Sequence, residues 1–166
     1  FIGTSVNAQT LVNGNFEAPI TDIPQAPGKA SNTAGWGFGL YTKVTASPGE
    51  GAQSVSIKTI VDPAFAALLQ SSNDTIGGQI FQTVNGAIMN PATLTVDFMY
   101  KYTPMMGDNA VVGVEIYDTL AAGDADDVLL YQGIKILSTA KTTWTNGTVT
   151  MTADGTGTAN QIIVFA

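Results

Sequence analysis

"TLTVDFMYKY", residues 93 to 102, decides the fold. Leu94, Val96, Phe98, Tyr100 and Tyr102 fall on one side of an extended chain, and Thr95, Asp97, Met99 and Lys101 fall on the other. Successive side chains of a strand point to opposite faces, so this rhythm describes a half-buried antiparallel strand. Eight residues on, "AVVGVEIYD" (110–118) repeats it, setting Val112, Val114 and Ile116 against Gly113, Glu115 and Tyr117. The connector "TPMMGDNA" supplies the Pro, Gly, Asp and Asn of a chain reversal.

The same reading extends along the chain. Further strands are expected at 10–16, 36–46, 54–60, 76–84, 128–137, 144–153 and 160–166, about nine in all, separated by turn signals. Only "DPAFAALLQSS" (62–72) has helical character, with Asp62 as N-cap, Pro63 in the first helical position and Phe65, Leu68 and Leu69 on one apolar face. The proline-bearing stretch "ITDIPQAPGKASNTAGWG" (20–37) reads as a surface loop. Many short strands with at most one helix predict an all-β fold, a two-sheet antiparallel β-sandwich of jelly-roll type.

Composition narrows the chemistry. The 166 residues suit a single domain, and 45% hydrophobic against 11% charged residues predicts a packed core. Six lysines and no arginine stand against thirteen acids, a net charge of -7, which would repel a phosphate backbone and so argues against nucleic acid. Without Cys or His there is no disulfide, no thiolate or imidazole catalysis and no ordinary zinc or haem ligation. A metal would have to be a hard, oxygen-seeking cation such as calcium. No apolar run reaches the roughly 20 residues of a transmembrane helix.

The ends differ from the middle. "FIGTSVNAQ" is similar to the tail of a secretory signal peptide, with Val6 and Ala8 at the minus-three and minus-one positions of a cut that would leave Gln9 first. A plain first strand or arm is the alternative. "QIIVFA" stops inside an apolar strand, which reads as a domain (9–166) cut from a longer, multidomain reading frame.

"LVNGNFEAP" (11–19) followed by Gly35 and Trp36 resembles the opening of jelly-roll carbohydrate-binding modules. The segment from Pro91 to Asp118, then Trp144 and "QIIVFA", is similar to carbohydrate-metabolism domains of secreted, cell-surface proteins of the Bacteroidetes. The resemblance implies a secreted or extracellular location and a glycan partner. It further implies that Glu17, set after Phe16, helps to hold a structural calcium ion with an Asp near the domain's end. No such Asp follows "QIIVFA", and a solvated Glu at a strand end is the competing reading.

Two more groups of residues are candidates. The acidic "GDADDV" brings Asp124, Asp126 and Asp127 together with the spacing of the first part of a calcium loop, but without the closing Glu of an EF-hand, so a solvated hairpin tip competes. Sugars stack on flat rings while their hydroxyls find amide, carboxylate or ammonium partners, which makes Trp36, Tyr41, Tyr117, Tyr131 and Trp144 candidate platforms. Trp36 and Trp144 match positions that the resemblance gives to packing. Tyr117 and Glu115 face away from the apolar set of their strand, and Asp97 and Lys101, outward on what is expected to be the neighbouring strand, would complete a polar rim. Asp108, beside Gly107, is expected to brace its turn through Asx-type hydrogen bonds.

These readings favour a non-catalytic carbohydrate-binding module. The rivals are a structural or adhesive spacer whose strand edges pair with neighbours and, last, a glycoside hydrolase, which would need two carboxylates framed across a cleft.

Overall fold

The computed structural model describes residues 17, 20–23, 26–33, 41–44, 52, 54–68, 70, 75–86, 93–105, 107–119, 127–153 and 156–166. They form twelve strands and one helix. In chain order these are β1 (Ile20–Ile23), β2 (Ala26–Thr33), β3 (Tyr41–Val44), β4 (Ser54–Ile57), β5 (Ile60–Val61), α1 (Pro63–Leu68), β6 (Thr75–Ile76), β7 (Phe81–Asn85), β8 (Thr93–Tyr102), β9 (Ala110–Asp118), β10 (Val128–Leu137), β11 (Lys141–Ala153) and β12 (Gln161–Phe165). The expected strand at 10–16 lies outside the described residues.

Six strands make one antiparallel sheet in the order β7-β12-β9-β10-β11-β8, curled like half a barrel. The pairs β1–β2, β3–β4 and β5–β6 stand as two-stranded ladders. The chain is therefore mostly β, as its alternation requires.

Registry explains the core. Ile116 lies opposite Tyr131 on one neighbour and Ile162 on the other, and Val114 lies opposite Val164. These side chains pack with Leu130, Val149, Met151 and Ala159 as the buried cluster, flanked by Val84, Leu94, Val96, Phe98 and Val112. Val112, Val114 and Ile116 thus share one inner face, as the sequence predicts. On the inner side Phe98 lies over Gly147, and on the outer side Phe165 lies over Gly113, where an added Cβ would run into the ring. In each pair the ring fills the space that the glycine leaves empty in the opposite strand.

Between β10 and β11 the ladder among the described residues is short, Tyr131↔Ala153 and Gln132↔Thr152. Nearby, Gly133 lets β11 pass close over the inner side of β10: a Cβ there would fall 2.8 Å from the Thr150 carbonyl and 2.7 Å from Met151 Cγ.

Two expectations need correction. Residues 20–33 are not a loop, because β1 and β2 form an antiparallel hairpin. Its register jumps from Asp22↔Ala30 to Ile23↔Ala26, leaving Pro27, Gly28 and Lys29 unmatched. A proline cannot donate to a ladder, and the bulge places it where no donor is needed. The one short helix forms inside the expected segment, but its apolar face differs from the expected one. Asp62 caps it, its carboxylate accepting the Phe65 N–H at 3.0 Å, but the buried residues are Phe65 and Ala66, while Leu68 is 48% exposed. Gln70 stands at φ 55°, in the left-handed region where helices commonly end, and its N–H donates to the Ala67 carbonyl.

Candidate functional site

The outer face of the six-stranded sheet carries a row of polar side chains. Asn85, Gln161 and Tyr117 follow one another across β7, β12 and β9, and Leu129 of β10 ends the row. One step along the strands, Glu115 lies opposite Gln132. The Tyr117 hydroxyl donates to Glu115 Oε2 at 2.9 Å, and Gln132 Nε2 donates to Oε1 of the same carboxylate at 2.9 Å. Gln161 Nε2 donates to Asn85 Oδ1 at 3.0 Å. A phenol, a carboxylate and three amide side chains are thus set side by side on a sheet surface.

The rim of this face is braced from below. Asn160, directly before β12, accepts the backbone N–H and the hydroxyl of Thr119 on Oδ1, both at 2.8 Å, and returns an Nδ2–H to the Thr119 carbonyl at 3.1 Å. Its own N–H donates to the Tyr117 carbonyl at 3.0 Å. Asp118 Oδ2 accepts the Thr158 N–H at 2.8 Å. These contacts tie the end of β9 to the start of β12, so the backbone that presents Tyr117 is held on two sides.

Partial burial raises the Tyr117 phenol above its ordinary value of 10.0, reinforced by its hydrogen bond to Glu115 and by the charges of Glu115 and Asp127. Tyr102 is raised as well, first by desolvation and then by Asp108, to which its hydroxyl donates. A phenol with a raised folded pKa keeps its proton where the unfolded chain has lost it, so its stabilisation is full below 10 and is lost as pH rises through the folded value. Titration of tyrosinate absorbance should show Tyr117 and Tyr102 ionising late, with stability declining above pH 10. Tyr117→Phe and Tyr102→Phe should each remove one late phase; unchanged titration in both would contradict the hydrogen bonds described.

The structure sorts the residues singled out from sequence. Tyr117 and Glu115 come together as expected, and Gln132, Gln161 and Asn85 join them. Asp97 and Lys101 do share the outer face, but β8 is not the neighbour of β9; it is three strands away, at the far edge of the sheet. There Asp97 accepts the Thr148 hydroxyl at 2.6 Å, and Lys101 Nζ sits 5.1 Å from the Trp144 ring centroid, a cation–π contact. Tyr131 cannot serve as a platform: it is 3% exposed and belongs to the core. Its strand bulges between Leu129, opposite Tyr117, and Tyr131, opposite Ile116, and the extra residue turns the tyrosine inward.

Tyr41 lies in β3, opposite Ile57. Glu17 Oε1 accepts the Ala52 N–H at 2.6 Å. Asp127 is exposed just before β10, whereas Asp124, Asp126 and Trp36 lie outside the described residues. Among the described residues no three carboxylates cluster as metal ligands, and no helix is long and apolar enough to cross a membrane. Asp108 acts as expected, its Oδ1 accepting the Met105 N–H at 2.6 Å beside Gly107 at φ 81°.

No family model, curated protein or solved structure matches the chain.

Proposed function

We propose that this chain is a non-catalytic glycan-binding β-sandwich of jelly-roll type, one module of a secreted, cell-surface bacterial protein, and that it takes carbohydrate on the outer face around Tyr117. The observation that carries the reading is the Tyr117–Glu115–Gln132 network in line with Gln161 and Asn85. A ring tethered through its hydroxyl offers C–H stacking, and the flanking carboxylate and amides offer the fixed donors and acceptors that sugar hydroxyls require. A face of this kind suits an extended polysaccharide better than a small buried ligand. The two-stranded ladders would supply the second layer over the inner face, and Glu17 and, separately, the acidic loop with Asp124, Asp126 and Asp127 are the candidate calcium ligands.

A glycan array with the whole chain tests the reading. Binding to a plant, algal or host polysaccharide is expected, with Tyr117→Ala losing about 1–3 kcal/mol, roughly five- to 150-fold in affinity, while Asp97→Ala at the far edge changes little. Absence of binding to every polysaccharide would put the spacer reading in front. That second reading is favoured by the apolar side chains on the same outer face, Ile134 at 57% and Ile136 at 55% exposed.

A further inference from the structure

One edge of the six-stranded sheet is β8, a ten-residue strand bonded to β11 on one side and, among the described residues, to no strand on the other. An open edge is a row of unpaired N–H and C=O groups able to receive another strand. Its inner side chains Leu94, Val96, Phe98, Tyr100 and Tyr102 are only half-buried, whereas Gly147, Val149 and Met151 on the neighbouring strand are buried. The apolar layer therefore stops short at β8, as it would if one more strand belonged beside it.

We propose that the occupant is β8 of a second copy, paired antiparallel about a two-fold axis through Met99. The charge pattern selects both partner and register. With Met99 opposite Met99, Asp97 of each copy faces Lys101 of the other, and on the inner side each Phe98 faces a Tyr100. Opposite charges and aromatic pairs directly across a ladder are favourable, and like charges are not. Centring the axis on Asp97 or Lys101 would set like charges face to face, and centring it on Phe98 or Tyr100 leaves neither charge matched. The interface is isologous and closes at two copies, because each edge is consumed by the other. It joins two curled sheets into one and leaves both Tyr117 faces on the same side, so it is independent of what those faces bind.

Sedimentation of the full chain over a concentration series, with circular dichroism to verify folding, tests this. The unaltered chain should dimerise. Lys101→Glu and Asp97→Lys should each raise the dissociation constant by about tenfold or more, since two facing pairs turn from attractive to repulsive. An equimolar mixture of the two variants should associate, because each then supplies the charge the other lacks, and the double variant D97K/K101E should recover self-association. The chain has no cysteine, so Met99→Cys gives a second readout: opposed residues across a ladder lie within disulfide reach, and oxidation should crosslink this variant but not Thr95→Cys, which the register keeps apart. A chain that stays monomeric at all concentrations, a charge-swapped double variant no better than the singles, or equal crosslinking at positions 95 and 99 would overturn the proposal.

Discussion

Ile116→Ala is expected to lower the free energy of unfolding by about 2–5 kcal/mol. Ile116 is 1% exposed at the centre of β9, with Tyr131 and Ile162 directly opposite on its two neighbours. Removing its side chain beyond Cβ leaves a gap bounded by ladders on both sides, which cannot close without moving strands. The matched control is Ile134→Ala on the outer face, where 57% exposure means little burial is lost and the change should stay within about 0.5 kcal/mol. Urea denaturation of both variants gives the comparison through the midpoint at constant slope. Equal losses at the two positions would mean that the inner and outer faces are wrongly assigned.

Gly133→Ala should destabilise by about 1–3 kcal/mol, and Gly133→Val by more. Strand preference alone points the other way, since glycine weakens a strand interior and alanine restricts the unfolded chain. Close approach decides the sign. The new Cβ would meet the Thr150 carbonyl, Met151 Cγ and Val149 Cγ1 at 2.7 to 2.8 Å, and a backbone oxygen in a ladder cannot swing aside as a side-chain tip can. Gly77→Ala, with nothing within 4 Å of the added carbon, is the control and should be neutral or slightly favourable. A stabilised Gly133→Ala would show that β10 and β11 do not pass so closely.

The candidate site was legible in part. Tyr117 and Glu115 could be placed on one outward face because they share a strand, and alternation within a strand needs no knowledge of its partners. Gln132 could not be joined to them without the β9–β10 register, although a glutamine in the apolar run "LLYQGIKIL" is a polar signal in its own right. Tyr131 was a candidate only as an aromatic ring, and the one bulged residue between it and Leu129, which turns it into the core, has no residue-type signal. The β1–β2 hairpin was hidden by Pro27 and Gly28, which announce a loop but here occupy the unmatched part of a ladder.

Taken alone, the order of amino acids determined that the chain is built of strands, that Val112, Val114 and Ile116 share a buried side, and that no thiol or imidazole is present. Those properties reside in residue identity and in the two-residue repeat of an extended backbone, which are local. Only the tertiary structure decided that β8 runs beside β11 and not β9, and that Tyr131 turns inward. It also decided that Gln132, Gln161 and Asn85 gather around Tyr117 and Glu115. Strand neighbours and bulges are chosen by how side chains far apart in sequence fill one interior, and that choice has no signature within any single strand.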